Sequence, residues 1–524
     1  MRESRSSRQG PPGRQSSAAV SADSGAAPIV TIDNGAVRGL IVPGGYVFRG
    51  LPYAAPPTGD LRWRPPRPPA GWQGVRDATR FGPSSPQPPN PALTGPASED
   101  CLYLNVYTPT LGGNVDGGLP VLVWIHGGRF TLGAGRDYDG TKLAANGIVV
   151  VTINFRQGAL GFLAHPALAS EPGGPSGNYA LMDQQAALRW VQNSIRAFGG
   201  DPGNVTVAGQ SSGGLSVLAH MISRGSRGLF HRAIVQSGVG PWALEQKSLA
   251  AAEAVGEAFA AKAGCPDQTA ESLRRLPVAD LVSNFPGAAV PAVVDGEVIE
   301  EPIGTALAAG RFARMPILNG TIHDEERVFI SAGVAVTGAV VRVPQPVTDE
   351  SYQQVIGSVL DVPAARAAVI AAEYPPEAYP SPTVALSALV SDANFACPAY
   401  QLDVLTSKYV PTFAYEFNDD SAPLRYDPPV TGPRVATHKS EWAYLFDLPD
   451  APFQEPFSPG SQALAASMRA AWASFAASGN PSTADVPWPA FDADSMQMLS
   501  LVPPRPQVET DFAARHHCAF WAAG

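Results

Sequence analysis

The residues Gly209-Gln210-Ser211-Ser212-Gly213 are the stretch of this chain best suited to chemistry. A serine hydroxyl is a weak nucleophile until the backbone aims it and a neighbouring base takes its proton. The small residues two before and two after Ser211 permit a sharp turn without a Cβ clash. The preceding run, Asn204 to Ala208, is β-branched and apolar and reads as a buried strand. The following run, Gly213 to Ile222, reads as a helix. Strand, tight turn and helix together make a nucleophile elbow. The chemistry would be acyl transfer through Ser211, with N–H groups at the helix start facing a developing oxyanion. Among 52 glycines a Gly-x-Ser-x-Gly pattern is more often a plain turn, so the flanks carry the reading.

A serine nucleophile needs a base, and the base needs a carboxylate to hold it. When serine rises from an α/β sheet by such a turn, the acid and then the histidine follow it in the chain. His126 and His165 precede Ser211, His220 lies along the helix after it, and His231 opens the next strand; all four read as structural. His516 and His517 sit beside Cys518-Ala519-Phe520-Trp521, a C-terminal docking tail. His323 would need an earlier acid such as Asp295. His438 follows a Gly/Pro-rich loop and is preferred as the base. Asp324, Glu325 and Glu326 follow the strand Ile317 to Gly320, at the strand end where catalytic groups gather, and spacing does not choose among them. His126-Gly127-Gly128 follows the apolar strand Val121 to Ile125 and suits the second half of an oxyanion hole.

The elements that must position these groups are strands and helices in alternation. Apolar strands run at Pro120–Ile125, Ile148–Asn154, Ala233–Gln236, Met315–Leu318, Pro411–Phe417 and Met498–Leu501. Asn178 to Phe198 is an amphipathic helix, with Leu181, Leu188, Val191, Ile195 and Phe198 at helical spacing. Ala-rich helices are expected at Ser248–Ala263, Pro363–Tyr374, Val384–Ser407 and Ser461–Ser478. Residues Ile29 to Phe48 read as a small antiparallel sheet. Strands this apolar imply an α/β fold: a large, mostly parallel central sheet covered on both faces, with helical insertions. Residues 27–524 are expected to form that single domain, and residues 1–26 a disordered tail or leader remnant.

The whole chain has 524 residues, a net charge of −10 and no apolar run of membrane-spanning length. The acidic balance argues against nucleic acid and anionic membrane surfaces as partners. Four scattered cysteines do not make a metal site or a disulfide scaffold, and one bridge is open to them.

At this point the sequence resembles the type B carboxylesterase family, the cholinesterase-like branch of the α/β hydrolases. The resemblance rests on Glu99 to Asn105, His126-Gly127-Gly128, Asn154-Phe155-Arg156, Asn178 through Pro202, and the elbow. It continues through Gln236-Ser237-Gly238, Gly320 to Phe329, His438, and Gly479-Asn480-Pro481. It implies the α/β-hydrolase fold, with Ser211 as nucleophile, Glu325 as acid and His438 as base. It also implies oxyanion donors at the N–H groups of Gly128, Arg129 and Ser212, and a buried supporting role for Ser237. A Cys397–Cys518 disulfide follows from the same resemblance, while Cys101 and Cys265 lack their usual partners. Two departures stand out: neutral Gln210 replaces the family's glutamate before the nucleophile, and Arg129 replaces its third oxyanion glycine.

The expected activity is hydrolysis of small carboxylic esters through an acyl-enzyme, with no metal or organic cofactor. Phe130, Trp242, Phe329, Phe395 and Trp442 are candidates for the pocket wall. A cation at Arg129 would favour esters carrying a free carboxylate. The alternatives are a lipase acting on longer acyl chains and a non-catalytic binding protein. A secreted or periplasmic location is expected, with the cytoplasm as the alternative; nothing in the sequence specifies an oligomeric state.

Overall fold

The computed structural model describes residues 27–89, 95–112, 117–171, 177–240, 245–285, 292–337 and 340–523. The expected tail at 1–26 and Trp242 lie outside the described residues. Sixteen strands are present among them: β1 Ile29–Ile32, β2 Gly35–Arg38, β3 Leu40–Val42, β4 Gly45–Pro52, β5 Val75–Asp77, β6 Tyr103–Thr108, β7 Leu119–Ile125 and β8 Val149–Ile153. They continue with β9 Gly200–Gln210, β10 Arg232–Gln236, β11 Ile317–Ile322, β12 Val334–Val336, β13 Val340–Arg342, β14 Thr412–Phe417, β15 Met498–Leu501 and β16 Gln507–Glu509.

Eleven of these form one sheet in the order β16-β15-β14-β11-β10-β9-β7-β8-β6-β4-β3. The run from β8 through β15 is parallel, and the strands at both edges are antiparallel. The sheet is therefore mostly parallel, as its apolar strands require. The residues expected as one small sheet near the start divide between two. β1 and β2 pair with β5 in a separate three-stranded sheet, whereas β3 and β4 join the large one. Val47, Phe48 and Leu51 on β4 are fully buried, and pairing with β6 is what buries them.

Side chains alternate across β7 and divide the core in two. Val121, Val123 and Ile125 face a cluster with Leu181, Leu188 and Val191 of the helix Tyr179–Ser194 and with Leu215 and Leu218 of the helix Ser212–Ile222. Leu122 and Trp124 face the other cluster, with Leu464, Met468, Trp472 and Phe475 of the helix Pro459–Ser478. Each such side chain contributes about 1.5–3 kcal/mol by leaving water. Both faces of the strands are thus covered, and the catalytic candidates emerge at the strand ends. Arg156 and Asp183 lock the loop after β8 to the helix Tyr179–Ser194. Their Nε–Oδ2 and Nη2–Oδ1 hydrogen bonds are 2.8 and 2.7 Å long.

Candidate active site

β9 ends at Gln210 and the next helix begins at Ser212, so Ser211 sits at the corner with φ 56° and ψ −125°. Its N–H donates to the Gln236 carbonyl at 2.9 Å, and its carbonyl accepts from the Leu215 N–H at 3.0 Å. The corner is tight enough that a Cβ on Gly213 would lie 2.0 Å from the Ile125 carbonyl oxygen. The turn leaves Ser211 half-buried while its neighbours are buried.

His438 is buried on the loop after residues 428–437, and its Nδ1 lies 2.5 Å from Glu325 Oε2. Glu325 Oε1 accepts from Thr321 Oγ1 at 2.8 Å and from the Ile322 N–H at 2.9 Å. The Oε2 contact fixes the imidazole with its proton on Nδ1 and leaves Nε2 as the acceptor, 3.4 Å from the Gln210 side-chain amide nitrogen. The rings of Phe329 and Phe395 flank His438 at 5.3 and 5.2 Å between centroids. The Gln210 amide donates to the His438 carbonyl at 2.8 Å, which ties the elbow to the His438 loop. Asp427 holds the loop on either side of His438, accepting from Thr437 Oγ1 and from Lys439 Nζ, at 2.9 and 2.8 Å.

The three adjacent acids point to different partners. Glu325 reaches His438, while Asp324 binds Arg327 and His323, each at 2.8 Å. Glu326 is fully buried; burial pushes its carboxyl well above the usual range, and the Glu325 charge adds to this. The remaining histidines all have other partners. His126 stacks on Phe155 and burial pushes it down to about 4, so its ring is neutral. His165 caps a short helix at Ala167, His220 bonds Gln184 and Ser226, and His231 accepts from the Val205 N–H. His517 bonds Glu373.

The loop after β7 folds over the elbow. A Cβ on Gly127 would lie 2.7 Å from the Gln210 carbonyl oxygen. Arg129 and Phe130 take φ of 56° and 59°, and the Phe130 N–H donates to Ser212 Oγ at 3.2 Å. The N–H groups of Gly128, Arg129 and Ser212 donate no hydrogen bond among the described residues. The Arg129 side chain lines a cleft of about 1240 Å³ with Gln87, Glu99, Thr131, Gln157 and Phe285. Its Nε is buried without a partner among the described residues, and Glu326 is the carboxyl whose field it feels.

The other sequence candidates are placed as follows. Phe130 is buried against Phe162, and Trp442 is buried in an aromatic cluster with Tyr138 and Tyr426. Ser237 is buried with φ 47°, its N–H bonded to the Gly320 carbonyl and its Oγ unpartnered among the described residues. Cys397 and Cys518 are bridged, and Cys101 and Cys265 are buried free thiols. Two groups escaped the sequence reading. Asp427 hid in a Pro-rich loop. Glu441 hid in an aromatic run; it accepts from the Tyr415 hydroxyl at 2.8 Å, and burial pushes it up to about 7.

The model of the carboxylesterase family matches residues 26–521. The para-nitrobenzyl esterase of Bacillus subtilis is 35% identical, over 90% of this chain and 94% of its own. The fumonisin B1 esterase of Sphingopyxis macrogoltabida is 37% identical, over 85% and 81%. The human cocaine esterase is 32% identical, over 95% and 91%. A solved thermophilic para-nitrobenzyl esterase superposes with a TM-score of 0.76 at 32% identity, covering 94% of this chain and 100% of that one. A second para-nitrobenzyl esterase structure gives 0.74 at 32% identity, covering 93% and 98%. The chain is a member of the carboxylesterase family, an enzyme that hydrolyses carboxylic esters.

Proposed function

We propose that the chain hydrolyses its esters through an acyl-enzyme on Ser211, with residues 27–524 acting as one catalytic unit. Ser211 Oγ attacks the ester carbonyl as His438 Nε2 takes its proton. The oxyanion accepts from the N–H groups of Gly128, Arg129 and Ser212. His438 then gives the proton to the leaving alcohol, and water repeats the sequence on the acyl-enzyme. Glu325 holds the ring and stabilises the imidazolium. The observation that carries this reading is the 2.5 Å contact between His438 Nδ1 and Glu325 Oε2, in a carboxylate whose other oxygen is held by Thr321 and the Ile322 N–H. The Cys397–Cys518 bridge supports an oxidising, extracytoplasmic setting.

The relatives' names cover esters that differ widely, so selectivity is argued from this chain alone. Burial pushes the Glu326 carboxyl well above its usual range, and no carboxylate among the described residues lies within ion-pair distance of Arg129. The guanidinium therefore has no ion-pair partner among the described residues, and its Nε has no hydrogen-bond partner there either. A free carboxylate on the substrate can supply that missing partner, through the charge-assisted hydrogen bonds arginine forms best. Esters with a carboxylate near the scissile bond are the favoured substrates in this reading.

Two measurements test the proposal. In stopped-flow assays on a p-nitrophenyl ester, wild type releases a burst of phenol equal to the enzyme concentration. Ser211→Ala loses the burst and kcat falls on the order of 10⁴- to 10⁶-fold. Residual turnover within tenfold of wild type in that variant would end the serine mechanism. Arg129→Ala lowers kcat/KM for a carboxylate-bearing ester about tenfold or more relative to a matched neutral ester. An unchanged ratio would remove the selectivity and leave the mechanism standing.

A further inference from the structure

Where β11 and β14 end side by side, a second group of polar residues meets that the ester chemistry does not use. Thr321 of β11 is in register with Glu416 of β14, and the His323 N–H continues the pairing to the Phe417 carbonyl. His516 reaches the same place from the C-terminal segment, two residues before the bridged Cys518. One ligand atom from each of His323, Glu416 and His516 lies within 4.8 Å of the others.

The orientation of these groups is fixed from outside. His323 Nδ1 is 2.8 Å from Asp324 Oδ2, and His516 Nδ1 is 2.5 Å from Asp392 Oδ1. Each imidazole is thereby anchored through Nδ1 and offers Nε2. Glu416 keeps Oε2 on Arg515 and Asn418, at 2.8 and 2.9 Å, and presents Oε1 2.7 Å from His516 Nε2. Imidazoles held by carboxylates on the far nitrogen are the arrangement that orients ligands in zinc sites. Two such imidazoles and one carboxylate make a three-ligand set with a fourth position left for water. The His323 side chain is 44% exposed while Glu416 and His516 are buried, so that fourth position faces solvent.

We propose that His323, Glu416 and His516 form a zinc-type divalent-cation site, which fastens the C-terminal segment to the strand end that carries Glu325. The cation takes the place of the proton shared by His516 Nε2 and Glu416 Oε1, and that proton leaves to solvent. A tetrahedral zinc with bonds of about 2.0–2.2 Å needs its ligand atoms roughly 3.5 Å apart. His323, the exposed member, closes on the pair by turning about its Asp324 contact, while the His516–Glu416 contact opens from 2.7 Å as its proton leaves. The site takes no part in ester hydrolysis, because Asp324 turns to His323 while Glu325 turns to His438.

The test uses the full chain, stripped with a chelator and dialysed. Calorimetric titration with zinc chloride, in two buffers of different ionisation enthalpy, is expected to show one equivalent bound with proton release. Cobalt(II) is expected to give the intense visible bands of a four- or five-coordinate N/O site. His323→Ala, at an exposed position, raises the zinc Kd at least about tenfold and bleaches the cobalt bands. His517→Ala, beside the cluster but outside it, leaves both unchanged. Absence of saturable binding to wild type overturns the proposal, as does binding that survives His323→Ala. An octahedral cobalt spectrum would overturn the ligand set independently of any variant.

Discussion

At the scale of single residues, the site is a set of carboxyl groups in different surroundings. Glu325 accepts two hydrogen bonds beyond His438, whereas Glu441 has the Tyr415 hydroxyl and burial pushes it up to about 7. In the unfolded chain Glu441 ionises above about pH 4.5, while in the folded chain it stays protonated until about 7. The unfolded state thus holds fewer protons in that window. Stability falls as pH rises from about 4.5 to 7 and is level above it. At about 1.4 kcal/mol per pKa unit, the loss is about 3 kcal/mol. Glu441→Gln should flatten the curve by that amount, measured by urea unfolding between pH 4.5 and 8. An unchanged slope would show that Glu441 is ionised in the folded chain. The sequence carried the Ser211 corner openly, because the elbow compresses strand, turn and helix into five residues. It left three acids open, because which of Asp324, Glu325 and Glu326 meets His438 depends on how β11 ends, not on spacing. The substrate pocket was least legible: an aromatic residue looks the same in sequence whether it lines a cavity or fills a core.

At the scale of elements, what holds the site is the attachment of helices to strand ends. The Arg156–Asp183 pair is buried on both sides, and Asp183 Oδ2 also accepts the Arg156 N–H at 3.1 Å. Removing one partner leaves a charge buried and unpaired. Asp183→Ala should cost about 3–5 kcal/mol in unfolding free energy by chemical denaturation. A cost below about 1 kcal/mol would mean that water enters to replace the carboxylate. Most strands were legible because their apolar runs are long and bounded by Gly or Pro. The helix expected from Val384 to Ser407 is present and carries one irregularity. A π turn at Asp392–Ala396 separates Pro382–Ser391 from Cys397–Thr406, and the buried Asp392 binds Tyr374 and His516 there. A helical pattern cannot reveal a partner 124 residues away. The helix Asp349–Leu360 was not anticipated, although Tyr352, Val355, Ile356 and Val359 bury one face of it.

At the scale of the whole molecule, the fold class followed from the alternation of apolar strands with helices, and the edges did not. Whether β3 and β4 close a separate small sheet or extend the large one is decided by distant pairing with β6, which local pattern does not encode. The Cys397–Cys518 bridge spans 121 residues and adds about 2–5 kcal/mol by limiting the unfolded chain. Against such gains stands the corner at Ser211, where a side chain occupies a backbone region that suits glycine, at a cost of about 1–3 kcal/mol. Ser211→Gly should therefore raise the unfolding free energy by on the order of 1 kcal/mol, after allowing for glycine's greater freedom when unfolded. A lower melting temperature in that variant would place the strain elsewhere. With Ser211 as the proposed nucleophile, heat resistance and turnover pull in opposite directions at one position. A library of random variants selected for survival at high temperature alone would drift toward a dead enzyme there, so any effort to toughen this protein has to score catalysis in every round.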